Sequence, residues 1–338
     1  MSKTKVGIIG CGNIYDVHAQ SLQHIEQVEI AAFCDIDYAR AERASQKYGG
    51  RAYSDYKEMI KREALSAVHI CLPHYLHYPV AVYALENYVD VLCEKPISIS
   101  FEDACKMRQA AERCGRKLGV IFQNRYNPGS VFVKEHIQSG KLGSFLGAKC
   151  SLAWCRNADY YLSADWRGKL ATEGGGVLIN QAIHTLDLIR WLIPHEVSTV
   201  EASTAKRTGA DIEVEDTAEG CIGFDNGSKA LFYFTNNFVL DTPVRIEMYF
   251  ENAFARIEGE KGTIKFKDGS VLTSHDIDDI KFNKCKPVWG CSHYLQIKEF
   301  YEDQIGETVR QGLDEAIKTQ KLLCLIYRSA AEKRRIII

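Results

Sequence analysis

Val89-Asp90-Val91-Leu92-Cys93-Glu94-Lys95-Pro96 is a short apolar run that stops at a charged pair and a proline. A run of this length, closed by a residue that cannot continue a ladder, predicts a buried strand over 89–93. In an open parallel sheet, ligands bind beyond the carboxyl ends of the strands, so Lys95 is aimed at such a crevice. A lysine at a strand end is more often simply solvated, so its assignment depends on the chain on either side.

Upstream, Lys5-Val6-Gly7-Ile8-Ile9-Gly10 is a second apolar run, and Cys11-Gly12-Asn13-Ile14-Tyr15 opens a helical pattern to about His24. Gly10 and Gly12 would let the backbone turn tightly and approach a pyrophosphate. The helix start at Asn13 and Ile14 would offer free N–H groups and a positive dipole end. Tyr15 stands where the third glycine of the dinucleotide fingerprint is expected, a departure that touches helix packing and leaves phosphate binding intact. A strand over 28–34 ends at Asp35, at the distance where a carboxylate binds the adenosine ribose hydroxyls and repels a 2'-phosphate. NAD is therefore expected over NADP, although Asp35 would serve equally as a cap for a helix beginning near Asp37.

Further segments alternate as strand 67–72, helix 76–87, strand 89–93, helix 101–115 and strand 117–122, the pattern of a parallel sheet covered on both faces. Leu72, Pro73, His74 and His77 follow one strand end and Gln123 follows the last, so with Glu94 they join the cofactor candidates. Each histidine taken alone is more often structural than catalytic.

With 338 residues the chain is long enough for two domains, expected at 1–123 and 124–338. A net charge of -2 with mixed signs argues against a nucleic-acid partner. No apolar run reaches membrane-span length, and Met1-Ser2-Lys3-Thr4-Lys5 leads straight into a strand. The 12 cysteines are scattered without a C-x-x-C pair, which suits small buried apolar residues in a reducing cytoplasm and suggests no metal site.

After Gln123-Asn124-Arg125-Tyr126-Asn127-Pro128 the pattern changes to a helix near 131–138 and then mostly β segments, at 145–154, 199–206, 218–224, 229–234, 245–250 and 253–258. These suggest an antiparallel sheet, with Asp225-Asn226-Gly227 as a hairpin turn. Helical runs at 294–305 and 314–333 and the apolar tail Ile336-Ile337-Ile338 close the chain. The fold class is α/β: a Rossmann-type parallel-sheet domain, then an α+β domain with a mainly antiparallel open sheet.

Inside the second domain, Gly174-Gly175-Gly176 opens an apolar helical run to Leu192. At 100° per residue Asn180, His184 and Asp187 share one narrow stripe, and buried polar groups need partners or a ligand. Arg125, and Arg156 and Tyr161 in the loop 156–167, join Lys95, Asn180 and His184 as substrate candidates.

Gly10-Cys11-Gly12-Asn13, Glu94-Lys95-Pro96 and the triple-glycine helix bearing His184 and Asp187, in that order, resemble the glucose-fructose oxidoreductase / inositol dehydrogenase / MocA family along essentially the whole chain. The resemblance implies a dinucleotide-binding domain, a second domain whose open sheet covers the cleft and makes a homodimer or homotetramer, and redox chemistry on a hydroxyl of a sugar, cyclitol or nucleotide sugar. Carried onto this chain, the catalytic lysine is Lys95 and the histidine His184. Asn180 stands where the family commonly has Asp. An amide is no general base, so Asn180 would orient a hydroxyl while His184 takes its proton. His74 replaces an asparagine of the fourth-strand loop, and Trp166-Arg167-Gly168 resembles a segment that reaches the nicotinamide end or the substrate. Asp187 would orient His184 or be satisfied by backbone groups. Two alternatives stay open: an enzyme that oxidises a glycoside transiently to permit cleavage or epimerisation, and a non-catalytic dinucleotide-binding regulator, which would need neither Lys95 nor His184.

Overall fold

The computed structural model describes residues 3–275, 292–303 and 305–338, which form two compact units. The first holds 3–123 together with 292–317, and the second holds 124–275 and 318–338.

The first unit alternates β1 (Thr4–Ile9), α1 (Tyr15–Gln23), β2 (Val28–Cys34), α2 (Tyr38–Tyr48), β3 (Arg51–Tyr53), α3 (Tyr56–Arg62), β4 (Ala67–Ile70), α4 (His77–Glu86), β5 (Asp90–Cys93), α5 (Phe101–Cys114) and β6 (Leu118–Val120). All six strands pair in parallel in the order β3-β2-β1-β4-β5-β6. The order reverses beside β1, the place where open α/β sheets leave a crevice at their carboxyl edge. The elements β3 and α3 escape the sequence reading because a three-residue strand shows no periodicity; Asp55 caps α3 by accepting from the Lys57 N–H at 2.8 Å.

In the second unit α6 (Pro128–Gln138), β7 (Phe145–Ala153), α7 (Ala158–Leu162), α8 (Leu170–Glu173) and α9 (Ile183–Leu192) precede β8 (Val197–Ala205), β9 (Thr217–Phe224), β10 (Lys229–Thr235), β11 (Arg245–Phe250), β12 (Ala253–Glu258), β13 (Lys261–Phe266) and β14 (Val271–Thr273). Its nine-stranded sheet runs β14-β13-β12-β11-β7-β10-β9-β8-β15, where β15 is Ile336–Ile337 of the apolar tail. Every described pairing is antiparallel except β7 with β10, so the sheet is mixed at its centre. Along β10 the side chains alternate: Ala230, Phe232 and Phe234 are buried while Leu231 and Tyr233 are exposed.

After the sheet come α10 (His293–Glu302) and α11 (Glu307–Glu332). The sequence reading put everything beyond residue 123 in the second domain, whereas 292–317 pack with the first unit. Ile297, Phe300 and Val309 complete the apolar core formed by Ile8, Val28 and Phe33. Gln296 closes the edge of the parallel sheet, its side chain accepting from the Phe122 N–H and donating to the Val120 carbonyl, both at 2.8 Å. α10 stops short of the expected 305 at Asp303, whose carboxylate accepts from the Gly306 and Val309 N–H groups at 2.9 Å; residue 304 of that expected run lies outside the described residues.

Ten cysteines are free thiols, half of them buried, while Cys285 and Cys291 lie outside the described residues. Among the described residues no helix is long and apolar enough to cross a membrane, and no cluster of His, Cys, Asp or Glu is arranged to hold a metal ion.

Candidate active site

The carboxyl edge of the parallel sheet collects the expected cofactor residues of the first unit in one row: Gly10 after β1, Asp35 after β2, Leu72 and Pro73 after β4, Glu94 and Lys95 after β5, Gln123 after β6. Gly10 has φ 95°, and a Cβ there would lie 2.4 Å from the Cys71 carbonyl oxygen, so only glycine fits the turn. A Cβ on Gly12 would meet nothing within 4 Å, so the backbone there faces open space. No side chain caps the start of α1 near Asn13 and Ile14, which leaves its first N–H groups available for an anion. Tyr15, in the third-glycine position, packs edge-on against Phe33 and Tyr48.

Asp35 is buried, and its two oxygens accept from the Cys11 and Asp37 N–H groups at 2.8 and 2.9 Å. It braces the glycine turn; each oxygen keeps a lone pair for a further donor. The cap of α2 is Asp37, which accepts from Ala39 N–H at 3.1 Å, and not Asp35. His77 is fully buried, with its ring nitrogens 2.7 and 2.8 Å from the Pro96 and Leu72 carbonyls, so its ring ties the ends of β4 and β5 together. His74 is buried beside it.

Glu94 turns into the unit. Its Oε1 meets His18 Nε2 at 3.0 Å and His293 Nε2 at 3.5 Å, and its Oε2 accepts from the Lys95 N–H at 3.2 Å. His18 Nδ1 lies 2.7 Å from His69 Nδ1, and His69 Nε2 lies 2.7 Å from the Tyr301 hydroxyl. Burial pushes the Glu94 carboxyl up, but the hydrogen bonds from His18 and His293 overcome it and hold the group well below the usual carboxylate range. Burial lowers His18 and lowers His69 further, keeping both rings neutral. The sequence reading missed all three histidines. The sole signal was position: His18 lies beside Ala19 and one turn before Leu22, on the apolar face of α1.

In the second unit the triple glycine is a packing requirement. A Cβ on Gly176 would lie 1.7 Å from the Glu215 carbonyl oxygen, and one on Gly175 2.0 Å from the Tyr327 hydroxyl. Glu215 then accepts from the Gly176 and Leu178 N–H groups at 2.9 and 3.0 Å and from the Tyr327 hydroxyl at 2.9 Å, anchoring the helix start. The helix is not uniform. Leu178–Ala182 is a π turn, and α9 begins only after it. The wider turn alters the 100° register, and Asn180 and Asp187 have separate partners.

Asp187 is buried and accepts from Arg125 Nε and Nη2 at 2.7 and 2.5 Å and from the Thr319 hydroxyl at 2.8 Å. It is satisfied by these side chains, neither by backbone groups nor as an orienter of His184, and two of Arg125's N–H groups are committed to it. Asn180, half-buried, donates to Glu173 Oε1 at 2.5 Å and to the Tyr160 hydroxyl at 3.2 Å. Gln181 and Arg167 donate to the same hydroxyl, Gln181 at 2.9 Å. Arg167 is stacked between the Tyr160 and Trp166 rings, 4.3 and 4.7 Å from their centres. Arg156 is paired with Asp241 at 2.9 Å and lies over Trp154 and Tyr160. Tyr161 is buried with Ile212 and Val214, while its neighbour Tyr160 carries the hydroxyl that Asn180, Gln181 and Arg167 share. His184 is half-buried on the first turn of α9. Glu173 and Tyr160 had escaped notice, although Glu173 directly precedes the triple glycine.

A parallel sheet ordered about β1, a glycine turn opening a helix and an acid ending β2 define a dinucleotide-binding domain. Residues 4–122 match the description "Oxidoreductase family, NAD-binding Rossmann fold" of the GFO/IDH/MocA proteins, and 131–265 match the family's C-terminal domain. The chain belongs to the GFO/IDH/MocA family of NAD-binding oxidoreductases. It is 33% identical to inositol 2-dehydrogenase of Rubrobacter xylanophilus over 217 residues, 61% of this chain and 58% of that relative. With D-glucoside 3-dehydrogenase of Escherichia coli K12 it shares 24% identity over 99% of this chain and 97% of the other. The crystal structure of the WlbA dehydrogenase from Bordetella pertussis, in complex with NADH and UDP-GlcNAcA, matches with a TM-score of 0.83 at 27% identity, over 99% of each chain.

Proposed function

We propose that the protein is an NAD-dependent dehydrogenase of a secondary alcohol on a sugar, cyclitol or nucleotide sugar. The observation that carries this reading is the row at the carboxyl edge of the first unit, where Lys95 shares one sheet edge with the glycine turn and Asp35. The relatives named above act on a cyclitol and a glucoside, and the Bordetella protein holds a nucleotide sugar, which supports the substrate class.

The first unit fits NAD: the open backbone at Gly12 and the uncapped start of α1 for the pyrophosphate, Asp35 for the adenosine ribose. When bound, NAD supplies the acceptor for the hydrogen and electron pair leaving the carbinol carbon. Lys95 places its positive charge against the oxygen as negative charge develops, a contact that strengthens toward the transition state. His184 takes the hydroxyl proton, and Asn180, tied to Glu173 and Tyr160, orients the hydroxyl. Leu72, Pro73, His74 and Gln123 shape the cofactor end, while Trp166, Arg167 and Arg156 shape the substrate end. The free, buried thiols suit a reducing cytoplasm. Self-assembly to a dimer or tetramer would use the open face of the nine-stranded sheet, where Leu146, Leu231, Tyr233 and Tyr249 are exposed on three adjacent strands.

A second reading, transient oxidation of a glycoside with return of the hydrogen, is favoured by the near full-length likeness to a glucoside 3-dehydrogenase. A panel of sugars, cyclitols and nucleotide sugars with NAD separates the two, since only net oxidation accumulates NADH. With a substrate in hand, Lys95→Met is expected to lower kcat on the order of 10²–10³ while NAD still binds, and His184→Gln to remove the acidic limb of kcat/KM. Asp35→Ser is expected to narrow the preference for NAD over NADP. Wild-type turnover in both the Lys95 and His184 variants would sink the assignment.

A further inference from the structure

With Glu94 ionised and His18 and His69 neutral, the row of hydrogen bonds behind Lys95 has one consistent set of protons. An ionised Glu94 only accepts, so His18 carries its proton on Nε2. Neutral His18 then has a bare Nδ1, which needs the Nδ1–H of His69 across their 2.7 Å contact. His69 in turn has a bare Nε2 and accepts the Tyr301 hydroxyl proton at 2.7 Å. Every donor in the row therefore points toward Glu94, and the row ends on the carboxylate whose other oxygen accepts from the Lys95 N–H. His18, His69 and His293 are almost completely buried, and no water need be invoked to satisfy these contacts.

A polar cluster of this size is not needed to fill a core. Replacing such a buried cluster by apolar residues of similar shape is often neutral or stabilising, so filling the core does not by itself account for it. We propose that His18 and His293 are positioning residues for Lys95: they clamp Glu94 as an anion, and the clamped carboxylate fixes the backbone from which Lys95 projects. His69 and Tyr301 set the tautomer that lets His18 donate. The positioning half of this inference rests on the reading of Lys95 as the charged group at the reacting oxygen. The clamp itself does not.

Glu94 is faced by His18 from α1, His293 from α10, His69 and Cys71 from and after β4, Cys93 and the Lys95 backbone at the end of β5, and at longer range by His77 from α4. Of these, only His18 and His293 touch the carboxylate through side chains, so removal of His18 leaves burial with one side-chain donor to oppose it. Glu94 then takes up a proton at a higher pH than in the wild type.

The test uses the full-length protein labelled with ¹³C at the glutamate carboxyl, in wild type, His18→Leu and His18→Gln; the resonance missing from Glu94→Gln identifies Glu94. The expected result is a Glu94 signal that stays ionised down to the acid limit of the native wild-type protein, titrates at higher pH in His18→Leu, and is largely restored in His18→Gln, whose amide can still donate. A signal unchanged in His18→Leu overturns the clamp whatever the enzyme does. If His18→Leu does not fold, the comparison is made with His293→Leu, which removes the other side-chain donor and for which an unshifted Glu94 overturns it equally. In turnover, His18→Leu is expected to lose on the order of 10- to 100-fold in kcat, as for a misplacement of about 1 Å at a reacting group. KM and NAD affinity stay near wild type, the acidic limb of kcat moves to higher pH, and His18→Gln recovers most of the rate. A shifted Glu94 with wild-type kcat and pH profile overturns the positioning role. Wild-type turnover in Lys95→Met would instead locate the failure in the reading of Lys95, leaving the carboxyl titration to judge the clamp.

Discussion

Asp187→Asn separates two roles that its position allowed, orienting His184 or holding the second unit together. The carboxylate is buried, meets Arg125 through two N–H groups at 2.7 and 2.5 Å and takes the Thr319 hydroxyl at 2.8 Å. The amide keeps the volume and one acceptor, but it turns N–H groups toward a guanidinium and leaves that charge unbalanced. The loss spreads, because Arg125 is within electrostatic reach of Arg190 and Lys134, and Asp187, followed by Glu196, favours the Arg190 cation. Breaking one partner of a buried pair costs about 3–5 kcal/mol, which in a unit of this size lowers Tm by roughly 6–20 °C. Thermal and urea unfolding followed by circular dichroism measure it, with Arg125→Met and the double variant completing a cycle. The double variant should recover much of the loss, since no unpaired charge remains. A loss below about 1 kcal/mol in Asp187→Asn would refute the argument, and an unchanged stability with collapsed kcat would return Asp187 to the side of His184.

Two further outcomes follow from the buried groups. His69 is held neutral well below its ordinary range by burial, and His18 and His77 are lowered the same way. Below about pH 6.5 the unfolded chain takes up protons that the folded chain refuses, so stability is full above that pH and falls as pH drops toward the folded-state values; His69 alone contributes about 1 kcal/mol between pH 7 and 5.5. Urea unfolding at the two pH values tests this, and equal stability at both would contradict it. Burial also pushes the Cys11 and Cys34 thiols up to about 12, while Cys155 is exposed. Alkylation of the native protein mapped by peptide mass is expected to modify Cys155 well before Cys11 or Cys34, and early loss of Cys11 would show that the glycine turn opens.

Strand ends were easy to read in this sequence because each is a short apolar run closed by Gly, Asp or Pro, and period and punctuation are local properties. The row Gly10, Asp35, Leu72, Lys95 and Gln123 was therefore legible before any contact was known. Contacts at long separation were not. Nothing local to His18 announces His69 or Glu94, and nothing local to Asp187 announces Arg125 and Thr319. The partners of Asn180 and Asp187 were hidden for a further reason: periodicity assumes a uniform helix, and the π turn at Leu178–Ala182 departs from it. Tyr160 drew no notice beside Tyr161, since adjacent identical residues carry no signal about which one faces the core.

The return of α10 to the first unit bears on how the chain is made. The edge of the parallel sheet is closed by Gln296, 174 residues after the Phe122 N–H that it accepts from, and Ile297 and Phe300 fill the core from the same helix. At translation rates of about 5–20 residues per second, the nucleotide-binding half waits roughly ten to thirty seconds on the ribosome with an open edge and an unfilled core. An exposed strand edge of this kind is a template for pairing with other chains. A nascent chain halted before residue 292 therefore harms the half that was synthesised first, and residues 1–123 expressed alone would carry the fingerprint of a nucleotide-binding domain without the piece that completes it.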